Sequence, residues 1–498
     1  MRRVIRTRAA MRARAAVAAM GLALLPAVAA IGNAQPALTG ADSALVGRLL
    51  LAEERRDISD VALAQAAAHP DERVRLLARR AAARITDPLF ATRDSFPPLP
   101  APKSWAEPAW RLRLRALTAA RADCAVLRAA LRDEVAHVRL RAIDLAGAPP
   151  PGGAPLPCAA DDSIATALAA AIDALPAEAS THAAGAPSWH TAAHAIVALS
   201  RIRPLEARER LPRLAAHPQW QVRQYAARAA GALGDSALLR EMSRDAHDNV
   251  KETAIEQLSR RVGHAADDVY LAALGARGAQ AVRAAAIALK GSPRADVPAA
   301  ALATLARFTT RANASERDAR VALLEAAGRA ASDDSTVRAP RPLPADAVAL
   351  ALGTDIRLHV SMSPRNGGGE FTIRLRGDVA PMMAARILEL VRQGYYHGLD
   401  WHRVEPDFVV QGLSPGANEY AGHAHFLADE LGAVPHARGT LGMSTRGHDT
   451  GDAQWFINVR DNLRLGRDYT VWAEIVDGIE VADAILEGDV VQAIHVVR

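Results

Sequence analysis

The chain predicts a multidomain fold: an all-α solenoid followed by an antiparallel β-barrel capped by helices. Three observations predict it. Helical segments that open on a valine and a basic residue recur at similar intervals through residues 42–331. The composition then breaks at residues 332–345 (SDDSTVRAPRPLPA), where prolines interrupt the helical period. Beyond residue 353 lie 11 of the 20 aromatic residues, together with short β-rich runs, which marks a second kind of core. A length of 498 residues likewise exceeds what one core usually serves.

At the start, Arg2, Arg3, Arg6, Arg8, Arg12 and Arg14 precede any acidic residue, and an apolar stretch with small residues follows over 15–30. This reads as a secretory signal peptide, residues 1–30, and as export to the periplasm or the outside of the cell. If it stays uncleaved, it anchors the chain in a membrane. The formal charge of +5 is smaller than those six positive charges, so the rest is slightly acidic and gives no reason to expect nucleic acid. After signal cleavage no membrane span is expected. Cys124 and Cys158, 34 residues apart, are either a disulfide suited to an oxidising compartment or two buried thiols.

Within 42–331 the recurring segments begin at Val74, Val138, Val222, Val250 and Val282, with weaker copies near Trp110, Thr191 and Ala319. Their spacings run from 28 to 37 residues apart from one gap of 53, which holds the loop APPPGGAPLP at 148–157. Apolar positions such as Val222, Ala226, Ala229 and Ala230 share one helix face. The preceding helices end alike, with AAHP at 67–70 and 215–218. A helix pair with one apolar stripe cannot bury it alone, but stacked pairs can. The pattern resembles HEAT-type repeats. Arg75, Arg139, Arg223, Lys251 and Arg283 are expected to pair with an Asp of a neighbouring turn rather than to bind phosphate. Such a surface suits a protein partner or client, an expectation from fold analogy.

Residues 332–352 read as a stiff proline-rich linker. In 353–498, strand-like runs start at Ile356 and Glu370. A helix over 380–393 places Met383, Ile387, Leu390 and Val391 on one face, with Pro381 in its first turn.

Residues 401–412, WHRVEPDFVVQG, set Arg403, Phe408 and Gln411 in a strand-like run. Alternation assigns Val409 and Gln411 to one face and Phe408 and Val410 to the other, with Pro406 marking a bend or edge. GTLGMSTRGHDTGDAQWFINV follows at 439–459 and LGRDYTVWAEIVDG at 465–478. In order and spacing these segments resemble the cyclophilin-type peptidyl-prolyl cis-trans isomerases over residues 353–498. The resemblance implies an eight-stranded antiparallel barrel and an isomerase acting on proline-containing polypeptides, without a cofactor. It implies catalytic roles for Arg403, Phe408 and Gln411, and a substrate-binding groove from Met443, Ser444, Thr445, Gln454, Phe456, Leu465 and Tyr469.

Departures bear on that reading. Trp401 stands where Phe is usual, Thr445 where Asn is frequent, and Arg464 where cyclosporin-binding members carry Trp. The alternative reading is a peptide-binding or scaffolding module that has lost turnover. Six histidines of this region, among them His423 and His425 on one expected strand face, lack the partners of a tetrahedral metal site, and no metal is expected. The whole reads as an isomerase assisting the folding of exported proteins.

Overall fold

The computed structural model describes residues 38–87, 99–150, 152, 154–176, 189–309, 313–334, 342–364, 367–432 and 434–497. The expected signal segment lies outside them, as do residues 335–341 of the expected linker.

Helices α1 (Gly40–Arg55), α2 (Val61–Ala67) and α3 (Glu72–Thr86) come first, followed by α4 (Ala109–Ala119), α5 (Cys124–Ala130), α6 (Ala136–Ala146) and α7 (Asp162–Asp173). Then come α8 (Trp189–Ile202), α9 (Pro204–Ala215), α10 (Trp220–Leu233), α11 (Ser236–Met242) and α12 (Asp248–Val262). The helical part closes with α13 (Asp267–Ala273), α14 (Ala279–Leu289), α15 (Val297–Thr309) and α16 (Arg317–Ala326). From α6 on, alternate helices α6, α8, α10, α12, α14 and α16 pack side by side as one layer, and α7, α9, α11, α13 and α15 cover it as a second. This is a HEAT-like solenoid.

The repeated valines are its keystones. Val74, Val138, Val222, Val250 and Val282 all sit on the second helix of a pair and are at most 1% exposed. The basic residue after each valine has a different task from the one expected in two repeats. Arg75 donates to the carbonyls of His69 and Pro70, and Arg139 to those of Asp133 and Glu134, so each guanidinium closes its own inter-helix turn. Arg223 does the same to His217 and Pro218 and also meets the Asp245 carboxylate of the next pair. Lys251 and Arg283 pair with Asp248 and Glu252. Cys124 and Cys158 form a disulfide that ties the start of α5 to the segment before α7.

The helical part is not one continuous stack. Leu45, Val46, Leu49 and Leu50 of α1 and Val74 and Leu77 of α3 share one apolar cluster with the C-terminal barrel, whereas α4–α16 build a core of their own. Arg84, fully buried, ties the first group to the barrel: it donates to Glu53 at 2.6 Å and to the carbonyls of Val379, Glu430 and Leu431. The described end of the linker is structured as well, because α17 (Ala347–Ala351) buries Ala347 and Leu350 in the same core.

The barrel strands are β1 (Arg357–Met362), β2 (Glu370–Leu375), β3 (Arg403–Val404), β4 (Val409–Gly412), β5 (Thr440–Met443), β6 (Trp455–Asn458), β7 (Val471–Asp477) and β8 (Val491–Val497). They form one eight-stranded antiparallel sheet in the order β3-β4-β6-β5-β7-β2-β1-β8. A bridge between Asp400 and Val490 brings its two ends together. Helix α18 (Pro381–Arg392), with Pro381 in its first turn, covers the sheet through the expected Met383, Ile387, Leu390 and Val391, and α19 (Ile479–Ala484) packs near β2.

Candidate active site

One register row carries the site. Arg403 on β3 pairs with Gln411 on β4, Gln411 with Phe456 on β6, and Phe456 with Gly442 on β5. Residues directly opposite in antiparallel strands point to the same face, so the row puts a guanidinium, an amide and an aromatic ring on one surface. Gly442 makes room for the ring: a Cβ there would stand 2.2 Å from Phe456 Cζ. Arg403 Nη1 donates to Gln411 Oε1 at 3.0 Å, and Gln411 Nε2 donates to Ser444 Oγ at 2.8 Å. The amide is thereby held in one orientation. The Arg403 side chain stays 45% exposed, with most of its five donors free to face a ligand.

Beside that row lies a small apolar cluster of Val409, Phe456 and Leu465, flanked by Phe408 and Tyr469. Phe456 and Tyr469 meet edge to face at 5.5 Å. Phe408 departs from the alternation expected of it. It precedes β4, in a turn where its N–H donates to Glu405, so it packs with Val409 while Val410 joins the main core. Val409 is a groove residue that the motif reading passed over. Met443 differs too: it is fully buried in the main core, where a Cβ on Gly451 would touch it at 2.6 Å, and does not join the groove cluster.

A chain of buried polar groups supports the cluster from beneath. Asn462 Nδ2 donates to the Phe408 carbonyl and to Asn458 Oδ1, Asn458 Nδ2 reaches His436 Nδ1, and His436 Nε2 contacts the Tyr469 carbonyl at 2.9 Å. Burial pushes the His436 imidazole down to about 4, so the ring is neutral at pH 7. It then accepts at Nδ1 and donates at Nε2, and it stacks on Phe456. Motif spacing gives no sign of Asn458 or Asn462, and no local pattern marks His436 for this role.

The solenoid reaches the groove through the loop after β4. Asn249 on α12 donates to the carbonyls of Gly416 and Ala417, Asn418 donates to Gln280 on α14, and the Arg283 guanidinium lies 3.9 Å over the Tyr420 ring. Gln454, 1% exposed, donates to the Ala421 carbonyl of this loop at 2.8 Å and so orders the loop against the groove. Thr445 is half-buried at its rim.

Two guanidinium groups border the groove at Phe408. The Arg403 and Arg464 guanidinium carbons stand 5.9 Å and 4.8 Å from the Phe408 ring centre. Trp401 is fully buried and meets Trp455 edge to face, a core-packing role. His423 and His425 lie in an irregular loop, not on a strand, with His423 against Arg386. Among the described residues no three His, Cys, Asp or Glu side chains are grouped to hold a metal, and no helix is long and apolar enough to cross a membrane.

The family described as cyclophilin type peptidyl-prolyl cis-trans isomerase/CLD matches residues 359–497, and HEAT repeats match residues 177–259. A peptidyl-prolyl cis-trans isomerase of Helicobacter pylori (strain ATCC 700392 / 26695) is 32% identical over 130 residues, 25% of this chain and 80% of that protein. Peptidyl-prolyl cis-trans isomerase B of Bacillus subtilis is 33% identical over 131 residues, covering 26% of this chain and 92% of the relative. Its Escherichia coli namesake is 34% identical over 128 residues, covering 24% and 78%.

Proposed function

Because this chain belongs to the cyclophilin-type peptidyl-prolyl cis-trans isomerases, we propose that Arg403 drives the rotation, in an exported protein that assists folding of proline-containing polypeptides. Twisting an X-Pro bond breaks amide resonance across a barrier of ~18–20 kcal/mol. No proton transfer or covalent step is needed; the site has only to hold the twisted amide better than the planar one. In the twisted state the prolyl nitrogen becomes pyramidal and carries a lone pair. A guanidinium aimed at that nitrogen gains a hydrogen bond that the planar amide cannot offer.

The observation that carries this reading is the row Arg403–Gln411–Phe456 with its Arg403 to Gln411 hydrogen bond. The cluster of Val409, Phe456 and Leu465 gives the prolyl ring an apolar seat. Arg403 meets the nitrogen from the edge strand, while Gln411 and Ser444 offer polar groups to the substrate backbone. Export is supported by the arginine-rich start with its apolar run and by the Cys124–Cys158 disulfide, a bond that persists in oxidising compartments.

The test is exchange spectroscopy on a short Ala-Pro peptide with the full chain. Acceleration of exchange is expected. Binding without acceleration would leave a peptide-binding module in place of the enzyme.

A further inference from the structure

The layer of solenoid helices α6 to α16 does not present an open surface, because the barrel is seated on it at several places, from His137 on α6 to Asp318 on α16; two of these supports flank a space. At one, Tyr225 on α10 donates to Glu487 at 2.7 Å and His190 on α8 meets the Glu487 carbonyl. At the other, Asn249 and Gln280 hold the loop at 416–418. Between these two supports the layers stand apart and leave a cleft of about 790 Å³. On the barrel side its walls include His402, Arg403, Glu419 and Tyr420. On the solenoid side they include Gln224 and Ala232 of α10 and Glu256 and Gln257 of α12. A second space of about 380 Å³, toward α6 and Leu486, also has His402 and Arg403 in its wall. Arg403 therefore borders the groove through Gln411 and both solenoid-facing spaces through its own position on the edge strand.

The lining limits what can enter. It mixes amides with both signs of charge, Arg228 and Arg260 against Glu252 and Glu256, and is not an apolar slot or an anion cradle. Side chains that both donate and accept match the alternating N–H and C=O groups of an extended chain whatever its sequence. A segment with its proline at Arg403 has these spaces beside it. At roughly 3.3–3.6 Å per residue, three or four flanking residues extend ~10–14 Å from the proline.

Building on the isomerase reading of Arg403, we propose that this cleft holds the stretch of substrate polypeptide adjoining the proline. The α8–α10–α12 face is then the second wall of the substrate site, and its ligand is extended, unfolded chain. What points to that occupant is Arg403, which stands in the wall of the cleft and hydrogen-bonds Gln411 of the groove.

The test compares kcat/KM of the full chain on an Ala-Pro tetrapeptide and on an unstructured peptide with one central Ala-Pro and several neutral residues on each side. The longer peptide gains about tenfold, the worth of one or two net hydrogen bonds. Ala232→Trp, a substitution at an exposed helix position on the cleft wall, removes that gain and leaves the tetrapeptide rate nearly as it was. Leu205→Trp on α9, where Leu205 is 78% exposed, keeps the gain. Equal rates on both peptides, or a gain that survives Ala232→Trp, overturns the proposal while leaving the isomerase intact. If neither peptide is accelerated, the isomerase reading falls and this one with it.

Discussion

Gly442 lies directly beneath the ring of Phe456, its partner across β5 and β6, and any Cβ at that position would enter the ring's space at 2.2 Å. Gly442→Ala must therefore push Phe456 out of the cluster proposed to seat the prolyl ring. Overpacking of this kind costs ~1–3 kcal/mol. We expect urea unfolding to show a loss of that size and kcat/KM to fall about tenfold or more, since each 1.36 kcal/mol of barrier is a factor of ten. A fully active Gly442→Ala protein would remove Phe456 from the site.

Arg84 makes the barrel depend on the first helices. Arg84→Met leaves Glu53 with Arg80 alone and deprives the buried carbonyls of Val379, Glu430 and Leu431 of their donor. Removing one member of a buried charge cluster typically costs ~3–5 kcal/mol. Denaturant unfolding should show that loss. A change under ~1 kcal/mol would mean that the cluster contributes little, as an exposed pair does.

Glu252, packed between α12 and α14, is expected to make stability depend on pH. It faces Gln280 and Arg283 from α14, Glu256 from its own helix and Glu419 from the barrel loop. Burial, with Glu256 and Glu419 adding to it, pushes its carboxyl up from 4.5 to about 7. Between those values the folded protein keeps a proton that the unfolded chain has released, so stability falls as pH rises through that window. The span corresponds to ~3 kcal/mol. Glu252→Gln should flatten the stability profile between pH 5 and 8, and parallel profiles for the two proteins would show that Glu252 ionises normally.

Much of this organisation was legible in the sequence where a repeat or a motif row forced it. Val138, Val222, Val250 and Val282 announced the stack because an apolar stripe at helical spacing has to be buried. Arg403, Phe408 and Gln411 announced the groove through linked motifs. Hydrophobic periodicity does not name the partner of a helix face, however, and the union of Leu49 and Leu77 with the barrel's apolar cluster was invisible for that reason. Alternation failed at Phe408 because the strand begins one residue later, and it could not tell groove from core for Met443 and Val409. Asn458, Asn462 and His436 act through contacts across distant strands and loops, which no local pattern reports.

The role proposed for Arg403 is to act on the twisted amide while held in place by Gln411. Its most direct measurement is kcat and KM of Ala-Pro isomerisation for the full chain beside Arg403→Ala. Removing a donor that acts only in the transition state costs ~10²–10³ in kcat. We predict a loss of that order in kcat with KM little changed, and no loss of fold by far-ultraviolet circular dichroism. A rise in KM with kcat intact would contradict the account, because Arg403 would then bind substrate and transition state alike.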